Sequence, residues 1–308
     1  MRMSTTMTPS VTRRRRGSGT ERAQIRAGYG FLAPFLIVFA LVMLAPVVYS
    51  IILSMFQTKL VGGTIFVGVD NFVAAFTDPQ FLEGVGRVLL FLVVQVPVML
   101  ILALVAALAI DSARLHGASF FRLAIFLPYA VPAVVAVLMW GFMYGERFGL
   151  VGNINNAVGF DLITPFAPEW MLLSIGNIVT WQFIGYNMLI FFAALKAIPH
   201  ELFEAAEIDG AGQFRIVTAI KLPAIRGSLV IATIFSIIGS FQLFNEPNIL
   251  KTIVPNLIPT FYTPNMYAYN LAFLGQQQNY AATIAIIMGL LTAVIAYIVQ
   301  LRGSRKDV

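Results

Sequence analysis

What most constrains this chain is a set of six unbroken apolar runs, each long enough to cross a bilayer and each bounded by polar residues. A hydrocarbon core of about 30 Å takes about 20 apolar residues in helical form. Runs of that kind occupy roughly residues 30–53, 85–110, 120–143, 171–195, 227–244 and 281–301. They lack the polar–apolar alternation of a membrane barrel, so helices are expected and strands are not. Composition points the same way: 59% of the 308 residues are hydrophobic and 11% charged, against about 45–50% and about 25% in soluble domains. A water-soluble core cannot hide so much apolar surface. With no cysteine in the chain, a disulfide scaffold and thiol chemistry are excluded.

The net charge of +6 resembles a nucleic-acid signal until the basic residues are placed. Seven Lys and Arg precede the first run, two lie in the turn reaching Arg122, four in the loop 196–226 and three after Leu301. These sixteen fall on one side of the alternating spans, while Lys59, Arg87, Arg147 and Lys251 fall on the other. The positive-inside rule then puts both termini in the cytoplasm and makes the charge a report of topology rather than of a nucleic-acid partner. Residues 1–29, rich in Arg, Ser and Thr, read as a disordered cytoplasmic tail. Residues 30–302 form the transmembrane domain and 303–308 a short cytoplasmic tail.

The first run is too long for a signal-peptide core and shows no clear cleavage site, so a retained helix is expected. Pro34, Pro46, Pro97, Pro128 and Pro132 lie inside runs, where each removes a backbone bond that neighbours must replace. Such a chain is more than an anchor.

The loop 196–226 is the most charged stretch outside the tails. Pro199 suits the first turn of a helix, and Glu201 and Glu204 suit its positive N-terminal end. Gly210 and Gly212 break it. A second short helix is expected from Gln213 to Ile220, ending before Leu222-Pro223. Helix, turn and helix make an exposed docking knob. Within it Glu204, Ala205, Ala206, Gly210, Ile220, Leu222 and Pro223 stand in an order and spacing that resembles the EAA loop of binding-protein-dependent ABC importer permeases. Ala33-Pro34, the stretch from Phe126 to Pro132, Trp181, the stretch from Ala194 to Pro199 and the stretch from Pro264 to Tyr267 are similar to the carbohydrate-uptake branch, and within it to the maltose-permease-like first subunit. The resemblance extends from about residue 30 to 302.

That resemblance implies an all-α integral membrane protein of the type I ABC importer permease fold, multi-pass in the inner membrane of a prokaryote. Its partners would be a second homologous permease, two copies of an ABC ATPase and an extracytoplasmic sugar-binding protein. By the same resemblance, Glu204 faces a basic residue of the ATPase and Gly210 permits the turn. Small Ala205 and Ala206 allow close approach, and a desolvated acid at an interface needs a cationic partner. No Gly-x-x-x-x-Gly-Lys-Ser/Thr occurs in the chain, so ATP and Mg are expected on the partner, with no cofactor and no catalytic residue here. Pro223, set directly before the fifth run, is expected to make a stiff link from the loop to the polar residues at the far end of that run.

A sugar path calls for hydrogen-bonding groups and aromatic faces. The fourth run supplies Trp181, Gln182, Tyr186 and Asn187, and the end of the fifth supplies Gln242, Asn245 and Glu246. A lone polar residue in a membrane helix is commonly interhelical glue. Gln182 with Tyr186, and Gln242 with Asn245 and Glu246, cluster at helical spacing and stand out as substrate contacts. Glycerol phosphate or another polyol is the alternative cargo, and an ion-coupled secondary transporter the alternative class. His116 and His200 lack metal-ligand spacing.

Overall fold

A computed structural model describes residues 18–59, 61–112 and 115–304, and the chain divides into two units, one ending at Ile52 and one beginning at Leu53. The first unit is helical from Ser18 to Phe39, passes through a π turn at Ala40–Leu44 and continues into the Ala45–Ser54 helix. The basic stretch expected to be disordered up to residue 29 is therefore helical from Ser18 on. Its Glu, Arg, Gln and Ala residues propagate a helix that the apolar run already nucleates. Expectations for residues 1–17 and 305–308 lie outside the described residues.

The π turn sits where the chain must absorb Pro46. Proline has no amide hydrogen and its ring strikes the carbonyl four residues back. Widening the preceding turn, so that the Ala45 amide bonds to the Ala40 carbonyl, relieves that clash without breaking the helix.

In the second unit the helices Pro79–Asp111, Met171–Lys196 and Gln278–Gly303 are long and apolar enough to cross a membrane, as is Arg22–Ser54 in the chain's first part. Two bent pairs, Ala118–Ala130 with Ala133–Met143 and Gln213–Ala224 with Arg226–Phe241, bring the number to six if each pair is one span. The third run, expected as one helix, is thus broken. It changes direction by 99° after a 3-10 turn at Leu127–Ala130 and an extended Val131 before Pro132. The fifth run ends at Phe241 rather than at 244 and is followed by a separate helix, Asn245–Ile253.

Among the described residues one element departs from an all-helical fold. Phe56–Lys59 and Gly63–Phe66 form an antiparallel hairpin, with Phe56 opposite Phe66 and Thr58 opposite Thr64. Thr58 Oγ1 donates to Asn279 Oδ1 at 2.9 Å, and Asn71 Nδ2 donates to the carbonyls of Ser54 and Phe56, both at 2.8 Å. Beside this network Asp78 caps the Pro79–Asp111 helix through the Gln80 amide at 2.9 Å and accepts hydroxyls from Tyr267 and Tyr280 at 2.7 and 2.9 Å. Burial alone would raise the Asp78 carboxyl. The two tyrosine hydroxyls and the Gln80 and Phe81 amides overcome it and hold the group below its ordinary value of 3.8.

Three apolar clusters fill the second unit. One holds Phe91, Ile175, Ile178, Leu250 and Met266. A second holds Phe81, Val88, Phe241, Leu271 and Ile284. The third holds Ala103, Ala107, Met188, Phe191, Leu195 and Ile225. The Pro79–Asp111 helix contributes to all three and is the spine of the unit. Small side chains set its approach to Met171–Lys196, since apolar attraction is weak in lipid and dispersion contacts need proximity. Against the broken third span, the Met171–Lys196 helix depends on Gly185, where a Cβ would lie 2.2 Å from the Ile125 carbonyl oxygen and 2.6 Å from the Phe126 Cα.

Candidate functional site

The loop between Met171–Lys196 and Arg226–Phe241 folds as a helix, a glycine turn and a second helix, as its residues require. The Glu201–Ile208 helix ends with Gly210 at φ +75°, in the left-handed region. The Gly210 amide bonds to the Glu207 carbonyl at 3.0 Å and the Ala211 amide to the Ala206 carbonyl at 2.9 Å. This is a Schellman closure, which satisfies two of the helix's terminal carbonyls and favours glycine at its left-handed position. Glu204 and Ala205 are exposed and Ala206 is half-buried. Around them Leu202, Ile208 and Phe214 are 50, 86 and 82% exposed, so the knob carries an apolar face that water alone would not favour.

The second helix does not end before Leu222-Pro223. After Gln213–Ile216 the backbone widens into a π turn at Val217–Lys221 and runs on through Pro223 to Ala224. The Leu222 amide bonds to the Val217 carbonyl, the same register relative to the following proline as at Pro46. The chain instead turns by 65° at Ile225, which is 1% exposed. Ile220 and Leu222 are half-buried and Pro223 is exposed. The link to the fifth span is therefore an elbow. Beyond it Arg226–Phe241 is one helix of 16 residues, about 24 Å at about 1.5 Å per residue.

Asp111, which the sequence reading passed over, ties the base of this loop. One carboxylate oxygen lies 3.0 Å from Lys196 Nζ and the other 2.6 Å from Lys221 Nζ. Lys221 also stands over the Phe203 ring at 5.3 Å. The last residue of the spine helix thus holds both the entry and the exit of the loop, from positions 85 and 110 residues away in sequence. Pairing of one acid with two lysines so remote has no local sequence signature.

The second set of polar residues meets at a cavity of about 350 Å³, near the lower end of the about 300–1,000 Å³ usual for ligand sites. Tyr186, Asn187, Gln242, Asn245 and Glu246 line it. Gln242, Asn245 and Glu246 do not share one helical face as their spacing predicts. The helix ends at Phe241, Gln242 sits in the break, and Asn245 and Glu246 open the next helix. They converge because the break folds the backbone back toward the same space.

Gln182 and Trp181 are not among the lining residues. Gln182 is 5% exposed and donates from Nε2 to the Val131 carbonyl at 3.1 Å. It thereby satisfies a backbone group freed by the break at Pro132. Trp181 packs edge-on against Trp140, with centroids 5.9 Å apart. The structure adds Gln95 and Tyr129 to the lining. The Tyr129 and Tyr186 rings stack at 5.0 Å and 19°, a flat apolar face beside the amides. Tyr129 lies on the 3-10 turn of the broken span, so only the fold brings it to Tyr186. Among the described residues no group of three or more His, Cys, Asp or Glu is placed to hold a metal ion.

Comparison with known proteins gives a consistent result. Residues 71–306 match the model of the family described as binding-protein-dependent transport system inner membrane component. The chain is 35% identical over 252 residues to the diacetylchitobiose uptake system permease protein NgcF of Streptomyces coelicolor, covering 77% of this chain and 70% of that one. It is 30% identical over 287 residues to the lactose transport system permease protein LacF of Rhizobium radiobacter, covering 91% and 94%. In fold it is similar to a chain of a bacterial ABC transporter involved in the import of the acidic polysaccharide alginate. That likeness has a TM-score of 0.75 at 21% identity, over 93% of this chain and 98% of the other. The family model covers most of the chain, including every residue of the loop and the cavity, and the chain belongs to the family of binding-protein-dependent transport system inner membrane components.

Proposed function

We propose that this chain is the sugar-translocating permease subunit of an ATP-driven ABC importer, taking an oligosaccharide or related sugar from an extracytoplasmic binding protein. The observation that carries the sugar reading is the cavity at Tyr129, Tyr186, Asn187, Gln242 and Asn245, where a stacked aromatic face adjoins amides. Sugar rings present apolar faces to aromatics and hydroxyls to amides. The relatives named for diacetylchitobiose and lactose uptake support the same cargo class.

In this reading the loop at Glu204–Gly210 is the coupling element. Its exposed apolar side chains seat in a partner ATPase, which binds ATP and Mg and hydrolyses the nucleotide. Glu204 would meet a cation there. A second, homologous permease completes the translocation path, and both termini of this chain are cytoplasmic. Movement of the loop reaches the cavity through the elbow at Ile225 and the Arg226–Phe241 helix, whose end carries Ser236 and Ser240 into the cavity region, with Gln242 in the break that follows. Membership of a binding-protein-dependent family leaves the ion-coupled carrier without support.

The test is reconstitution of the chain with its partner permease and ATPase in nanodiscs, with ATP hydrolysis measured with and without sugar-loaded binding protein. Stimulation by the loaded binding protein is expected. Hydrolysis indifferent to it, together with no sugar uptake in vesicles, would refute the reading.

A further inference from the structure

We infer that Glu246 gives the cavity a charge filter, admitting neutral and amino-bearing sugars and excluding uronates and sugar phosphates. The inference rests on the sugar-permease reading and adds the class of sugar.

Glu246 is 8% exposed, lines the cavity and lies in the first turn of the nine-residue Asn245–Ile253 helix. Among the described residues its carboxyl group makes no ion pair and no hydrogen bond to another side chain; burial raises its pKa above the ordinary carboxylate value, and a bond from its own backbone amide works against that rise. An acid taken out of water with no cation beside it is expensive to retain. The positive end of the helix offsets part of that cost, and donors supplied by a ligand would offset more. The cavity's other polar groups are neutral. Gln242 and Asn245 are exposed to it, while Asn187 already donates to the Phe183 carbonyl. None of the sixteen lining residues is Lys, Arg or His. Glu246 therefore brings the one carboxyl group to this wall.

That distribution has a direct consequence for cargo. Hydroxyls, N-acetyl amides and ammonium groups all donate to a carboxylate. A sugar carboxylate or phosphate cannot donate, and bound beside the Gln242 and Asn245 amides it would meet Glu246 at a separation of about 5–6 Å. At an effective dielectric of about 20 that like-charge contact lowers affinity on the order of a hundredfold. The filter would set this chain apart in cargo from the alginate importer whose fold it shares.

The experiment measures binding to the assembled permease–ATPase complex in nanodiscs without binding protein, so that the binding protein's own selectivity does not enter. Labelled lactose and diacetylchitobiose serve as neutral probes, and lactobionate and an alginate disaccharide as anionic ones, by equilibrium dialysis. The neutral probes are expected to bind at least tenfold more tightly than the anionic ones. In Glu246→Gln the gap should close to within about threefold, chiefly because the anions bind better. Asn245→Asp, at an exposed neighbouring position, should widen it. Equal affinities in the wild-type complex, or a gap unchanged in both variants, would overturn the filter. If no sugar of either charge binds, the sugar reading itself fails.

Discussion

Replacing Asp111 by alanine isolates what holds the coupling loop to the rest of the unit. The carboxylate is 8% exposed and bridges Lys221, 12% exposed, and Lys196, 57% exposed. Breaking a buried pair by removing one partner costs about 3–5 kcal/mol, because the other charge is left uncompensated. The Lys196 contact, being mostly in water, adds no more than about 1 kcal/mol. The Phe203 ring remains beneath Lys221 and returns about 1 kcal/mol. The loop base should therefore loosen by about 2–5 kcal/mol, which is about 30- to 4,000-fold in its opening equilibrium at about 1.4 kcal/mol per tenfold. Hydrogen exchange of the amides from Glu201 to Ile216 reads that opening. Adding Lys221→Met should restore most of the protection, since an apolar pair of similar volume need not cost more than the ion pair it replaces. Exchange within threefold of wild type in Asp111→Ala would refute the clamp. So would a double variant that exchanges as fast as the single one.

Gly210→Val places a β-branched residue at φ +75° and should destabilise the turn by about 1–2 kcal/mol or more. Binding-protein-stimulated ATP hydrolysis should fall severalfold, with Gly210→Asn milder because asparagine tolerates that conformation. Gln182→Leu removes the bond to the Val131 carbonyl and should lower the melting temperature of the purified chain while leaving the ratio of sugar affinities unchanged. A changed ratio would return Gln182 to the substrate path. The Asp78 carboxyl is lower in the folded chain than its ordinary value, so the stability it contributes is complete above that value and is lost as pH falls through the folded one. Thermal melts below about pH 4 should therefore drop more steeply in wild type than in Asp78→Asn, and parallel curves would show that the tyrosine hydroxyls do not favour the ionised form.

The sequence by itself determined where the chain meets lipid and where it does not. A run of about 20 apolar residues has one stable state in a bilayer, a helix that satisfies its own backbone, so length alone places the four long helices and the two bent pairs. The turn at Gly210 was equally legible, because a helix end that needs a left-handed residue advertises it as glycine. Tertiary structure decided what happens inside the spans. Proline marks a point where a backbone bond is lost, yet not whether the helix widens or breaks. At Pro46 and Pro223 a π turn absorbs it. At Pro132 the chain bends by 99°, with Gln182, 51 residues away, taking the Val131 carbonyl and Gly185 admitting the turned backbone. The break that consumes Gln182 also carries Tyr129 to Tyr186, and the break after Phe241 swings Asn245 and Glu246 into the same cavity. Helical spacing assigned these residues to faces of straight helices. Their true neighbours depend on partners remote in sequence, which periodicity along one segment does not encode.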